Sequence, residues 1–265
     1  MRETFILVLG LATGILVGLM GIGGGTIVVP AMVYLLGMDQ HAAQGTSLLM
    51  QLLPLGLGAL WVYWKKGSVD LRAGIVCALG FLPGGYLGGR VALAISSHNL
   101  QGLFGLFLMF SAAMLWWQPG AKPGLSAAEE APRLASLARD GNPSRIAGIF
   151  AMSCVVGVAS GLFGIGGGVL IVPLLVLLFG FEQHRAQGTS LVALVPPTGL
   201  FALLAYYRAH QVDLIVALLL MPGFVIGGVV GGRLAAKLSP RRMRMVFAAL
   251  LFAIGASQAA WIWSR

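Results

Sequence analysis

Residues 18–30 read GLMGIGGGTIVVP and residues 161–173 read GLFGIGGGVLIVP, one glycine-rich apolar motif at two places, with Gly18 answered by Gly161 and Pro30 by Pro173. The register continues beyond the motif. At the same offset His41, Ala43, Gln44, Gly45, Thr46 and Ser47 recur as His184, Ala186, Gln187, Gly188, Thr189 and Ser190. Pro54 recurs as Pro197, Asp70 as Asp213, and Gly88-Gly89-Arg90 as Gly231-Gly232-Arg233. Chance does not hold one spacing over so many positions, so the chain is a duplicated object. Duplication inside an apolar chain points to transporters, many of which keep their site where two repeats meet.

The apolarity is extreme. Hydrophobic residues make up 58% of the chain and charged residues 9%, with a mean hydropathy of +0.91, where a soluble domain carries roughly a quarter charged residues. An all-α polytopic membrane protein is expected. Apolar stretches run over 5–36, 47–64, 73–95, 100–117, 149–179, 190–207, 214–234 and 246–263, each near or above the ~20 residues that a spanning helix needs. The pattern predicts two repeats, each a glycine-broken first segment followed by three spanning helices. Residues 1–118 form the first repeat, 119–147 a polar linker, and 148–265 the second repeat.

Several function classes fall away on composition. A net charge of +9 would suit nucleic acid, but the basic residues stand in short loops beside apolar spans, where they set topology. Cys77 and Cys154 have no counterparts at the repeat offset and no CxxC arrangement, so neither a metal nor a cofactor is expected. The Arg2-led apolar start looks like a signal peptide, yet it aligns with the start of the second repeat and reads as mature structure.

Each first segment is too long for one ordinary span. It reads as one broken span, a re-entrant hairpin or two short spans, and the choice fixes the parity of the repeat. With an odd number of crossings, 12 basic loop residues share one side and 3 the other; with an even number the split is 10 to 5. The stronger bias predicts inverted repeats with the linker in the cytoplasm and both termini outside.

The glycines of Gly23-Gly24-Gly25 and Gly166-Gly167-Gly168 remove side chains where the backbone would turn inside the bilayer. Non-helical backbone at that depth is tolerated only when buried in protein or lining a wet cavity. A helix beginning near Thr26, and another near Val169, would aim free N–H groups and a positive dipole end at such a cavity, which suits an anion. The other reading is close helix packing by small residues. Gln44, Gly45, Thr46 and Ser47, with Gln187, Gly188, Thr189 and Ser190, add neutral donors at the start of spanning segments; N-capping by the hydroxyls is the alternative. His41 and His184 match across the repeats and are candidates for pH sensing or simple solvated loop residues. Arg90 and Arg233 stand inside apolar segments, as functional charges or as side chains snorkelling to an interface. All eight acidic residues lie in loops or at segment ends, which leaves the spans without a carboxylate to relay protons or hold sodium.

At GLMGIGGGTIVVP with QGTSLLMQLLP, and GLFGIGGGVLIVP with QGTSLVALVPP, the chain resembles the sulfite exporter TauE/SafE family over nearly its whole length. The resemblance implies a transporter of sulfur-containing anions such as sulfite or an organosulfonate, resident in the plasma (inner) membrane. An intramembrane enzyme finds little support, because the sequence has no GxSG, no HExxH and no pair of buried aspartates. Thr26 is matched by Val169, so a hydroxyl contact there would be one-sided. The expected partners are a small anion and the lipid bilayer, with no nucleic acid and with a homo-oligomer left open. A passive anion channel and a non-transporting membrane scaffold are the competing readings.

Overall fold

A computed structural model of the protein describes residues 2–20, 24–52, 57–117, 143–194, 199–235 and 240–260. The described residues form twelve helices and no strand. The first six are α1 (Arg2–Met20), α2 (Gly25–Leu36), α3 (Gln40–Met50), α4 (Leu57–Lys65), α5 (Leu71–Ala94) and α6 (Ser97–Trp117). The rest are α7 (Pro143–Phe163), α8 (Gly168–Phe179), α9 (Gln183–Leu194), α10 (Leu200–Arg208), α11 (Leu214–Ala235) and α12 (Pro240–Ala260). Displacing α2, α4 and α6 by the offset that carries Gly18 onto Gly161 reproduces the bounds of α8, α10 and α12. Five helices, α1, α5, α6, α7 and α11, are long and apolar enough to cross a membrane.

The protein is therefore an all-α, multi-pass membrane protein, but its second segments are not continuous spans. The stretches 47–64 and 190–207 each divide, into α3 and α4 and into α9 and α10. At 1.5 Å per residue, α3 and α4 reach only about 16 and 14 Å, each roughly half of a ~30 Å hydrocarbon core. The sequence places Pro54 in one interval and Pro196-Pro197 in the other. Residues 53–56 and 195–198 themselves lie outside the described residues. The helix α7 starts at Pro143, a residue suited to the first helical position. Residues 118–142 lie outside the described residues.

The first segment of the second half folds back. In the second half, Arg145 at the start of α7 donates from Nη2 to the Phe179 carbonyl at the end of α8, 3.0 Å away. The outer ends of α7 and α8 thus meet, so the segment is a hairpin rather than one broken crossing.

Glycine decides which helices pair. On α1, Gly10, Gly14 and Gly18 press against the backbone of Leu220, Phe224 and Gly228, while on α11, Gly223, Gly227 and Gly231 press against Leu7, Leu11 and Ile15. Residue numbers rise together, so α1 and α11 run parallel at backbone contact, the approach that small residues four apart permit. Gly80, Gly84 and Gly88 of α5 meet Phe150, Cys154 and Val158 of α7 in the same way. By contrast, α6 and α12 run antiparallel: Gly105 meets Gly255 and Ala259, and Gly255 meets Gly105 and Met109. Phe163, just before the second glycine break, stacks on Phe107 at 4.7 Å between centroids and tilts against Phe104 at 5.7 Å, which anchors that break to α6.

Candidate functional site

The two glycine breaks touch. Gly25, first residue of α2, lies so close to the Gly164 carbonyl and the Ile165 Cα that no Cβ fits between them. Thr26, the next residue, is fully buried. Gly23 lies outside the described residues. In the second break Gly164, Gly166 and Gly167 take φ values of +67°, +72° and +74°, a left-handed conformation that glycine alone adopts without strain. That turn ends in Gly168 and Val169 at the start of α8. The N-terminal N–H groups of a helix lack intrahelical acceptors, so the starts of α2 and α8 bring donors and positive dipole ends to the breaks. A ring covers each start: Phe81 of α5 lies on Gly167 and Phe224 of α11 on Gly24, each ring supplied by the opposite half.

The Gln-Gly-Thr-Ser residues sit inside helices, not at their starts, because α3 begins at Gln40 behind an Asp39 cap. Helix capping is done by aspartates. Asp70 Oδ1 accepts from the Ala73 N–H at 3.0 Å and Asp213 Oδ1 from the Val216 N–H at 2.9 Å. Thr46 and Thr189 instead bridge the halves, their hydroxyl oxygens accepting from the N–H groups of Asp213 and Asp70 at 3.0 Å each. Gly45 and Gly188 clear the way for that bridge, lying against the carbonyls of Gln211 and Ser68.

The serines part company. Ser47 donates to the Gly164 carbonyl across the seam at 3.1 Å, whereas Ser190 donates to the Gln187 carbonyl within its own helix at 2.8 Å. Gln51, which the sequence reading passed over, also donates to the Gly164 carbonyl, at 3.0 Å, and to the Ser47 hydroxyl, at 3.0 Å. Its signal was a lone amide in an apolar run, matched by Leu194 at the repeat offset. Two tyrosines were missed as well. Tyr206 of α10 lies 2.9 Å from Gln44 Oε1 and 2.9 Å from the Gly161 carbonyl, and Tyr63 of α4 donates to Gln187 Oε1 at 2.9 Å. Tyr63 and Tyr206 are themselves counterparts at the repeat offset.

The remaining candidates do not join this cluster. His41 is buried with Nε2 2.9 Å from the Ala92 carbonyl and Nδ1 3.3 Å from Asp39 Oδ2, while His184 is exposed beside Tyr63. Arg90 and Arg233 are exposed on the outer faces of α5 and α11, where a long side chain can reach the interface. Among the described arginines and lysines the buried one is instead Arg185, paired with Asp70 at 2.6 Å and lying 5.4 Å from the Phe181 ring centroid.

The helical, multi-pass frame is that of a membrane protein, and the family and the relatives it matches make it a membrane transporter. The chain belongs to the sulfite exporter TauE/SafE family, whose profile matches residues 5–257. It is 30% identical to the probable membrane transporter protein YunE of Bacillus subtilis over 96% of each chain. A probable membrane transporter protein of Xylella fastidiosa is 31% identical over 86% of this chain and 81% of its own. One from Methanocaldococcus jannaschii is 25% identical over 94% and 92%. No solved structure matches the chain.

Proposed function

We propose that this transporter exports a small sulfur-containing oxyanion, sulfite or an organosulfonate, through a site at the seam between residues 1–118 and 148–265. The contact of Gly25 with Gly164 and Ile165 carries the reading. It gathers two helix starts and the amides and hydroxyl of Gln44, Gln51 and Ser47 without a fixed cation. Neutral donors suit an ion that must leave as readily as it enters. The described carboxylates stand at helix ends and caps: Glu3 in the first turn of α1, Asp39, Asp70 and Asp213 before helices, Glu182 between α8 and α9. Transport in this reading makes and breaks no covalent bond.

The halves are inverted repeats in the inner membrane, with the linker side cytoplasmic. The antiparallel pairing of α6 with α12 and the α7–α8 hairpin support that relation, and the bias of basic loops supports the orientation. With no carboxylate relay, net movement is electrogenic; an inside-negative potential drives an anion outward with ~2.3 kcal/mol per charge per 100 mV.

Efflux of sulfite, sulfate, an alkanesulfonate and acetate from proteoliposomes under clamped potentials tests the proposal. Saturable efflux of a sulfur oxyanion that accelerates with an inside-negative potential is expected, and Gly24→Leu or Gly167→Leu, which must expel the Phe224 or Phe81 ring, abolishes it. Flux that ignores potential and follows an imposed pH gradient overturns the uniport model.

A further inference from the structure

Resting on the anion-transport reading, we infer that Tyr206 and Tyr63 are positioning residues that fix the Gln44 and Gln187 amides with their nitrogens turned to the transported anion. Each pair crosses between the halves, Tyr206 to Gln44 and Tyr63 to Gln187, with the phenol donating to the amide oxygen at 2.9 Å. A primary amide has one accepting end and one donating end. Once the oxygen end is held, the nitrogen end must face away.

In the first pair that end is conspicuous. Gln44 and Tyr206 are both fully buried, and Gln44 Nε2 has no hydrogen-bond partner. A buried donor left unmade is costly, so the position calls for an acceptor that the chain does not itself provide. Its place fits an anion. The Cα, carbonyl and Cβ of Gln44 form the wall against which Gly164 is packed, and Gly164 with Ile165 meets the first residue of α2. Gln44 thus belongs to the same junction as the helix starts. In the second pair Gln187 is half-buried, so the two devices present their amides in different degrees of enclosure.

The Tyr206 proton also has a second claimant. The Gly161 carbonyl lies at the same 2.9 Å from the hydroxyl, and a proton shared between two acceptors serves neither at full strength. When it goes to Gly161, the amide can turn round and donate to the tyrosine oxygen, leaving its own oxygen outward, where it repels an anion. An anion beside Gln44 therefore selects the arrangement in which Tyr206 donates to Oε1. The hydroxyl is what makes the two orientations unequal.

The test uses the full-length protein, with sulfite as the probe, in proteoliposomes for KM and Vmax and in detergent for melting with and without sulfite. Tyr206→Phe removes only the hydroxyl, and is expected to raise the KM for sulfite about tenfold while Vmax stays within about twofold, the tenfold corresponding to ~1.4 kcal/mol. It should also shrink the rise in melting temperature that sulfite produces, a readout that reports binding to the folded state. Gln44→Glu keeps the oxygen that Tyr206 holds but replaces the nitrogen with a second oxygen; the folded variant should lose the sulfite-induced rise altogether. Tyr63→Phe should repeat the KM effect. A Tyr206→Phe protein that melts lower but keeps its sulfite KM and sulfite-induced rise overturns the assignment and leaves the tyrosine a structural residue. If the unsubstituted protein moves and binds no sulfur oxyanion, the transport reading falls, and this assignment with it.

Discussion

Arg185 and Asp70 form an ion pair at 2.6 Å between halves, and the pair has no twin, because Ala42 is the counterpart of Arg185 in the first repeat. Asp70 and Asp213 otherwise do the same work, capping α5 and α11 and receiving a threonine from the opposite half. Comparing them isolates the ion pair. Asp213→Ala should cost about 1 kcal/mol, the value of a cap, and Asp70→Ala about 3 kcal/mol, because Arg185 is left buried without its partner. Denaturant melts of the two variants check this. Exchanging the charges, Asp70→Arg with Arg185→Asp, should recover part of the loss.

Gly25→Ala should prevent assembly of the seam, since the added methyl group meets backbone rather than a side chain that could turn aside. Gly228→Ala is the matched control: a Cβ there meets nothing within 4 Å, and the helix should gain up to about 1 kcal/mol in propensity. Size-exclusion profiles and melting temperatures of the two proteins in detergent distinguish these outcomes.

Gln51→Leu installs the residue that the second half already carries at 194. The Gly164 carbonyl then keeps only Ser47 among its side-chain donors. We expect stability to change by about 1 kcal/mol or less and initial transport rates to fall several-fold. An unchanged rate would show that Gln51 merely fills space.

The matched histidines should behave differently. His41→Ala removes one of two partners of the Ala92 carbonyl near the end of α5, which keeps the Ile95 N–H, and should cost about 1 kcal/mol. His184→Ala, at an exposed position, should stay within about 0.5 kcal/mol. Melting temperatures of the two proteins, and transport rates across pH 6–8, check the contrast. A shared change in pH profile would restore them as a functional pair.

The sequence made visible what recurs at one spacing. The two glycine motifs, the paired aspartates and the bounds of three helix pairs follow from it. Tyr63 and Tyr206 carried the same mark, but nothing local says that Tyr206 reaches Gln44, 162 positions away. Gln51 and Arg185 escaped for the opposite reason: a search for matching positions is blind to residues present in one copy only. The polar Gln-Gly-Thr-Ser runs were read as helix starts because the apolar stretch begins after them. The Asp39 cap shows that α3 starts a full turn earlier, which turns the threonine and serine into bridges between halves.

The parallel pairing of α1 with α11 also bears on how the protein is made. The ribosome finishes α1 at Met20 and does not begin α11 until Leu214, so α1 enters the bilayer with its Gly10, Gly14 and Gly18 stripe exposed to lipid and waits for almost the whole remaining chain. α7, made after α5, meets its partner at once. A nascent chain arrested before residue 214 should therefore hold α1 in a state that crosslinkers or insertase components can reach, and a separately synthesised second half should be able to claim it. Assembly is ordered by the late arrival of one helix, and truncation before that point removes the surface built to receive the first.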